Sequence, residues 1–130
     1  MLRHRDLSTN QLRERLTSRG FSPSECDDAL ATLERTGVLD DRRFAENRAR
    51  MLAGRGAGDT LIRYELDRAG VVEELIDCAL DLLPPEERRA QAIVERRGSS
   101  PKTGRFLAAK GFSEESVAHA VATASADALG

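Results

Sequence analysis

Eight arginines are the residues of this chain best suited to a chemistry of recognition. Arg13 and Arg15 flank Leu12 and Leu16, five more (Arg42, Arg43, Arg48, Arg50 and Arg55) run through one segment, and Arg63 follows. A guanidinium stays charged and presents a planar fork of donors that fits a carboxylate or a phosphate bidentately. Such a series suits a polar strip that meets phosphates or a partner's acidic side chains. It equally suits a solvated face balanced by Glu14, Asp40, Asp41 and Glu46. Aromatic residues for base stacking are scarce. Tyr64 is the single tyrosine, and Phe21, Phe44, Phe106 and Phe112 read as core.

Residues for bond-making chemistry do not converge. A hydroxyl or thiol nucleophile needs a neighbouring base, usually histidine. The two histidines are His4, near the N-terminus, and His119, which reads as a helix-surface or half-buried residue. Cys26 and Cys78 lack C-x-x-C spacing and fall on apolar stretches, so both read as small buried residues, with too few further ligands for a metal. The glycine-rich stretch Gly54-Arg55-Gly56-Ala57-Gly58 lacks the Lys-Ser or Lys-Thr of a phosphate-cradling loop and the dinucleotide spacing. Asp40-Asp41 could ligate a cation, yet Asp41 stands just before Arg42, Arg43 and Phe44, where a carboxylate caps the N-terminus of a helix. The expectation is a protein without catalytic activity, cofactor or metal.

The elements that must position the arginines are legible as helices. A Leu-x-x-x-Gly pattern with Ala nine residues after the glycine occurs three times: Leu16, Gly20 and Ala29; Leu66, Gly70 and Ala79; Leu107, Gly111 and Ala120. Repeats at this spacing mark stacked helical arrays, which present an extended surface to another macromolecule. Ser8 through Gln11 and Ser22 through Glu25 match capping boxes, and Ser22-Pro23 and Ser100-Pro101 place proline at a first helical position. Gly20, Gly70 and Gly111 stand where the left-handed conformation ends a helix. Apolar stripes follow at Cys26, Ala29, Leu30 and Leu33; at Val72, Leu75, Ile76, Ala79, Leu80 and Leu83; and at Val117, Ala120, Val121 and Ala124. Further helices run from about Asp41 to Leu52, burying Phe44, Met51 and Leu52, and from Pro85, burying Ala90, Ile93 and Val94. No period-two alternation stands out. The expected fold is all-α: tandem three-helix repeats over 1–54 and 55–98, with a two-helix unit over 99–130 and a hinge or tight turn at Gly54–Gly58.

Composition agrees. Apolar residues make up 40%, aromatics 4% and charged residues 32%, the profile of a folded helical protein with an aliphatic core. Residues 1–63 carry twelve arginines against ten acids, whereas 64–130 carry eight basic residues against twelve acids. The total of −2 does not match the basic footprint of a dedicated DNA binder. No apolar run approaches the roughly 18 residues of a membrane span, and the start lacks a signal-peptide core. A cytoplasmic protein is expected, and a monomer, because each unit buries its stripe on its neighbour.

Leu7-Ser8, Gln11-Leu12-Arg13, Leu16 and Gly20-Phe21, followed by Leu33 and Gly37-Val38-Leu39-Asp40-Asp41-Arg42-Arg43-Phe44-Ala45, resemble the RecX family of RecA regulators. The resemblance continues through Gly58, Ile62, Leu66 and Gly70-Val71 to Gly111-Phe112-Ser113, and Gly37, Leu39, Asp40, Asp41, Phe44 and Ala45 carry its most specific motif. Val38 replaces an aromatic usual there, Gln11 replaces a common Glu, and the extra N-terminal segment of many members is missing. The resemblance implies tandem three-helix repeats in an elongated, curved molecule. It also implies binding along the groove of the RecA–single-stranded DNA filament, with some contact to the DNA, and inhibition of recombination, DNA repair and SOS functions. The alternative left by the residues alone is a helical-repeat DNA-binding or transcription-regulating protein.

Overall fold

A computed structural model describes the backbone of residues 7–129 and the side chains of residues 7–124; His4 lies outside them. The described chain is a succession of α-helices without strands: α1 (Thr9–Ser18), α2 (Pro23–Arg35), α3 (Asp41–Gly54), α4 (Asp59–Arg68), α5 (Glu73–Asp81), α6 (Glu86–Arg97), α7 (Pro101–Ala109) and α8 (Glu114–Leu129). The accessible surface is 8366 Å², against about 6,800 Å² for a compact monomer of this mass. The array is extended.

Local chemistry sets most helix ends. Ser8 and Ser22 form complete capping boxes with Gln11 and Glu25, and the Ser100 hydroxyl accepts from the Thr103 N–H. Gly20, Gly70 and Gly111 adopt φ of +94°, +82° and +89°. At each, the glycine N–H and the N–H of the next residue return to carbonyls of the preceding helix turn, closing a Schellman motif. The Gly56 turn closes in the same way, with Ala57 N–H on the Leu52 carbonyl. Gly54–Gly58 is therefore a tight turn anchored by a buried Ala57.

Packing groups the helices in a frame one helix out of step with the boundaries 1–54, 55–98 and 99–130. Helix α3 contributes Phe44, Ala45 and Ala49 to one core with Ile62, Leu66, Ile76 and Ala79 of α4 and α5. Helix α6 contributes Ala90, Ile93 and Val94 to another with Leu107, Phe112 and Ala120. Leu7, Leu12, Leu30 and Leu39 close a smaller core around α1 and α2. A fully buried aliphatic side chain such as Ile62 or Leu66 contributes about 1.5–3 kcal/mol.

Several side chains differ from the sequence expectation. Cys26 is buried, but Cys78 is exposed, because it lies off the Ile76–Ala79 stripe. Phe21 and Val72 are exposed, and Met51 and Leu52 are half-buried. Phe112, in the same turn position as Phe21, is covered by α6, whose Arg89 guanidinium lies 6.0 Å from its ring centre.

Candidate functional site

The two junctions between units use one grammar, and most of the sequence motif belongs to it. The first residue of α3, Asp41, accepts hydrogen bonds from the N–H of Thr9 at 2.7 Å and its hydroxyl at 3.0 Å, so this carboxylate caps α1 rather than α3. Asp40 is the N-cap of α3, accepting from Arg43 N–H at 3.2 Å. One unit on, the first residue of α6 repeats the arrangement: Glu86 accepts from the N–H of Asp59, the first residue of α4, at 2.7 Å. A second contact is also repeated. The Ser8 hydroxyl donates to the Ala69 carbonyl at the end of α4, and the Gly58 N–H donates to the Lys110 carbonyl at the end of α7 at 2.8 Å. The start of one unit's helix thus rests on the glycine turn of the next.

Gly70 and Gly111 are glycines for two reasons. Both need positive φ, and a Cβ there would strike Asn10 or Leu61. The remaining motif residues are architectural. Gly37 takes φ of +77° after α2, and Leu39, Phe44 and Ala45 are buried.

Glu86 and Arg89 are the joint residues that sequence reasoning missed. Besides Asp59, the Glu86 carboxylate accepts from the Ser116 hydroxyl at 2.7 Å and from the Ser113 hydroxyl and N–H at 3.0 and 3.2 Å. Burial alone would raise its pKa, but the donors of Ser116, Asp59 and Ser113 outweigh burial and hold it below the ordinary glutamate value. Arg89 donates to the carbonyls of Pro84 at 2.9 Å and Ala57 at 3.0 Å and pairs with Asp59. The only local signal was an acidic first turn after Pro84-Pro85; the partners lie about thirty residues away in sequence.

The arginines singled out above divide into two groups. Arg13 pairs with Asp27 at 2.8 Å and Arg63 with Asp77 at 2.7 Å. These are one ion pair written twice, fifty residues apart, and each braces the first of two consecutive helices to the second. Arg43 donates to the Gly37 carbonyl at 2.9 Å, and Arg50 to the Asn47 side chain. Arg15, Arg42, Arg48 and Arg55 are exposed and form no hydrogen bond or ion pair among the described residues. Along α3, Arg43 and Arg50 share one face while Arg48 and Arg55 share another, seven residues being two turns. The five basic residues therefore make no single strip. Arg15 lines a groove of about 550 Å³ along α1 with Leu7, Gln11, Glu14 and Arg19. His119 is exposed, 3.9 Å from Glu87, and no cluster of metal-ligating residues occurs among the described ones. No helix among the described residues is long and apolar enough to cross a membrane.

The arrangement is thus an extended surface with unneutralised guanidinium groups on a braced frame. Comparison with known proteins gives it relatives. The family model for the second three-helix domain of RecX matches residues 40–80, the span of α3, α4 and α5. The regulatory protein RecX of Chromohalobacter salexigens is 38% identical over 95% of this chain and 88% of its own length. That of Stenotrophomonas maltophilia strain R551-3 is 33% identical over 92% and 80%. Among solved structures, RecX from Lactobacillus salivarius superposes with a TM-score of 0.77 at 16% identity, covering 92% of this chain and 86% of that one. A second crystal structure, of a regulatory protein RecX, gives 0.71 at 22% identity, covering 85% and 62%.

Proposed function

The chain belongs to the RecX family of regulatory proteins, and from that premise we propose that it regulates the RecA recombinase in the cytoplasm by lying along the RecA–single-stranded DNA filament. The observation that carries this reading is the extended array itself, which exposes free guanidinium groups on a frame stiffened at each junction. A rod of stacked units spans neighbouring subunits of a filament and opposes its growth sterically. No bond is made or broken. The regulator acts as a monomer, contacts RecA chiefly through protein–protein ion pairs and hydrogen bonds, and damps recombination and the SOS response. Arg15, Arg42, Arg48 and Arg55 are the partner-facing cations, whereas Arg13 and Arg63 brace the rod.

The test is RecA's DNA-dependent ATP hydrolysis with the protein added well below one copy per RecA protomer. Inhibition is expected at that ratio, where too little protein is present to sequester the DNA. Absence of inhibition would overturn the reading. The double variant Arg42→Glu/Arg48→Glu loses inhibition with its helix content intact.

A further inference from the structure

Four cations gather around Phe106, and no acid is among the described residues that line the notch between them. The Arg97 guanidinium carbon lies 3.6 Å from the centre of the Phe106 ring, and the Lys110 ammonium lies 5.9 Å from it. Arg55 and Arg96 complete the rim of a notch of about 230 Å³ floored by Gly56 and Ile93. The notch straddles the second junction: Arg55 follows α3, Arg96 and Arg97 end α6, and Lys110 ends α7. Arg13, Arg63 and Arg89 each have an aspartate within an ion-pair distance. None of the four cations here has one among the described residues. They also sit mostly in the acidic half of the chain, so local convergence, not overall composition, makes the positive field. Like charges held together without counter-charge are mutually repulsive, and a bound anion removes that cost.

The geometry selects among anions. Arg97 is exposed, so stacking on Phe106 fixes the plane of its guanidinium and leaves the other face open. A fixed guanidinium plane is a stacking platform for an unpaired base. Arg55 and Arg96 line the notch beside that platform and Lys110 lies over the same ring, so cations for the flanking phosphates surround it. An acidic peptide would use the charges but leave the platform idle. A small free phosphate would gain little enclosure from so open a rim.

We propose that this notch binds single-stranded nucleic acid, with one base on the Arg97–Phe106 stack and the flanking phosphates on Arg55, Arg96 and Lys110. The proposal deepens the filament reading by assigning its DNA contact to Arg96, Arg97 and Lys110 together with Arg55, the one member of the notch among the arginines singled out from sequence. It is tested without RecA, so each can fail while the other stands.

The experiment is fluorescence anisotropy of a labelled oligothymidine with the whole protein, titrated over a range of salt. Each phosphate contact on a single strand contributes about 0.7 to the log–log salt slope. The variant Arg55→Gln/Arg96→Gln/Lys110→Gln is therefore expected to flatten the slope by about 2, while Arg15→Gln/Arg42→Gln/Arg48→Gln, which removes equal charge elsewhere, leaves it unchanged. Arg97→Lys keeps the charge but loses the platform, and is expected to weaken binding about fivefold or more at constant slope. Circular dichroism confirms that each variant folds. Equal effects of the two triple variants, absence of binding by the native chain, or equal displacement by polyglutamate would each overturn the proposal.

Discussion

Replacing Gly58 by alanine isolates the second junction from every other source of stability. Its φ of −85° is ordinary for alanine, so the backbone itself carries no penalty. The added methyl carbon would lie 2.5 Å from the Gly111 carbonyl carbon and the Phe112 nitrogen, about 1 Å inside van der Waals contact. Those atoms are main chain, held within a Schellman turn, so the clash opens the junction. Opening it weakens two hydrogen bonds, Gly58 N–H to Lys110 at 2.8 Å and Thr60 N–H to Gly111 at 3.1 Å, each contributing about 1 kcal/mol. Overpacking adds about 1–3 kcal/mol, and the stiffer unfolded chain returns at most about 1 kcal/mol. The expected net loss is about 2–4 kcal/mol. Gly20→Ala is the control: nothing lies within 4 Å of its new methyl, but φ of +94° costs about 1–2 kcal/mol. Urea unfolding followed by circular dichroism measures both, and hydrogen exchange reports whether α6–α8 opens separately from α3–α5, as Gly58→Ala alone should cause. If Gly58→Ala costs no more than Gly20→Ala, and the two groups of helices still open together, the claim that the junction is welded by close backbone approach is refuted.

Two further outcomes test the side chains of that joint. Glu86 has a folded pKa below its ordinary value, so it stabilises the fold above that value, and the stabilisation fades as pH falls through the folded pKa. Glu86→Gln is therefore destabilised at neutral pH and shows a shallower acid loss in urea midpoints measured from pH 7 down to about 3; an unchanged acid profile would show that the carboxylate is not ionised against its donors. Arg89, whose side chain is 10% exposed, braces two carbonyls and Asp59 with one fork, so Arg89→Lys is expected to cost about 2–4 kcal/mol despite conserving charge. Full stability of the lysine variant would reduce Arg89 to a simple counter-ion.

Short-range chemistry made most elements legible in advance. Ser8, Ser22 and Ser100 act within three residues, and Gly20, Gly70 and Gly111 answer to a backbone angle that few other residues tolerate, so a single stretch of sequence specifies each. The grouping of α3 with α4 and α5 has no local signature, because Phe44 and Ala49 look alike whether α3 packs forward or backward. Cys78 was readable: two positions from Ile76 places it across the helix from the stripe. The role of Asp41 was half-visible, since its capping of a helix was foreseen but the helix is one that starts thirty-two residues earlier. The bracing of Arg13 and Arg63 could have been found by sliding the sequence fifty positions, which superposes Asp27 on Asp77 as well. Arg97 over Phe106 left no such trace, because a stacked pair nine residues apart has no periodic signature.

The junctions also bear on how such a chain can diverge. Each unit is set on the next by a main-chain carbonyl at a helix end, by the absence of a side chain at a glycine and by a single carboxylate as clasp, the donor being the Ser8 hydroxyl at one junction and the Gly58 N–H at the other. The spacing of the stack then rests on few side chains. Solvent-facing positions can then be rewritten without altering the spacing at which they recur, in keeping with a superposition at a TM-score of 0.77 and 16% identity. The molecule keeps its gauge and exchanges its lettering.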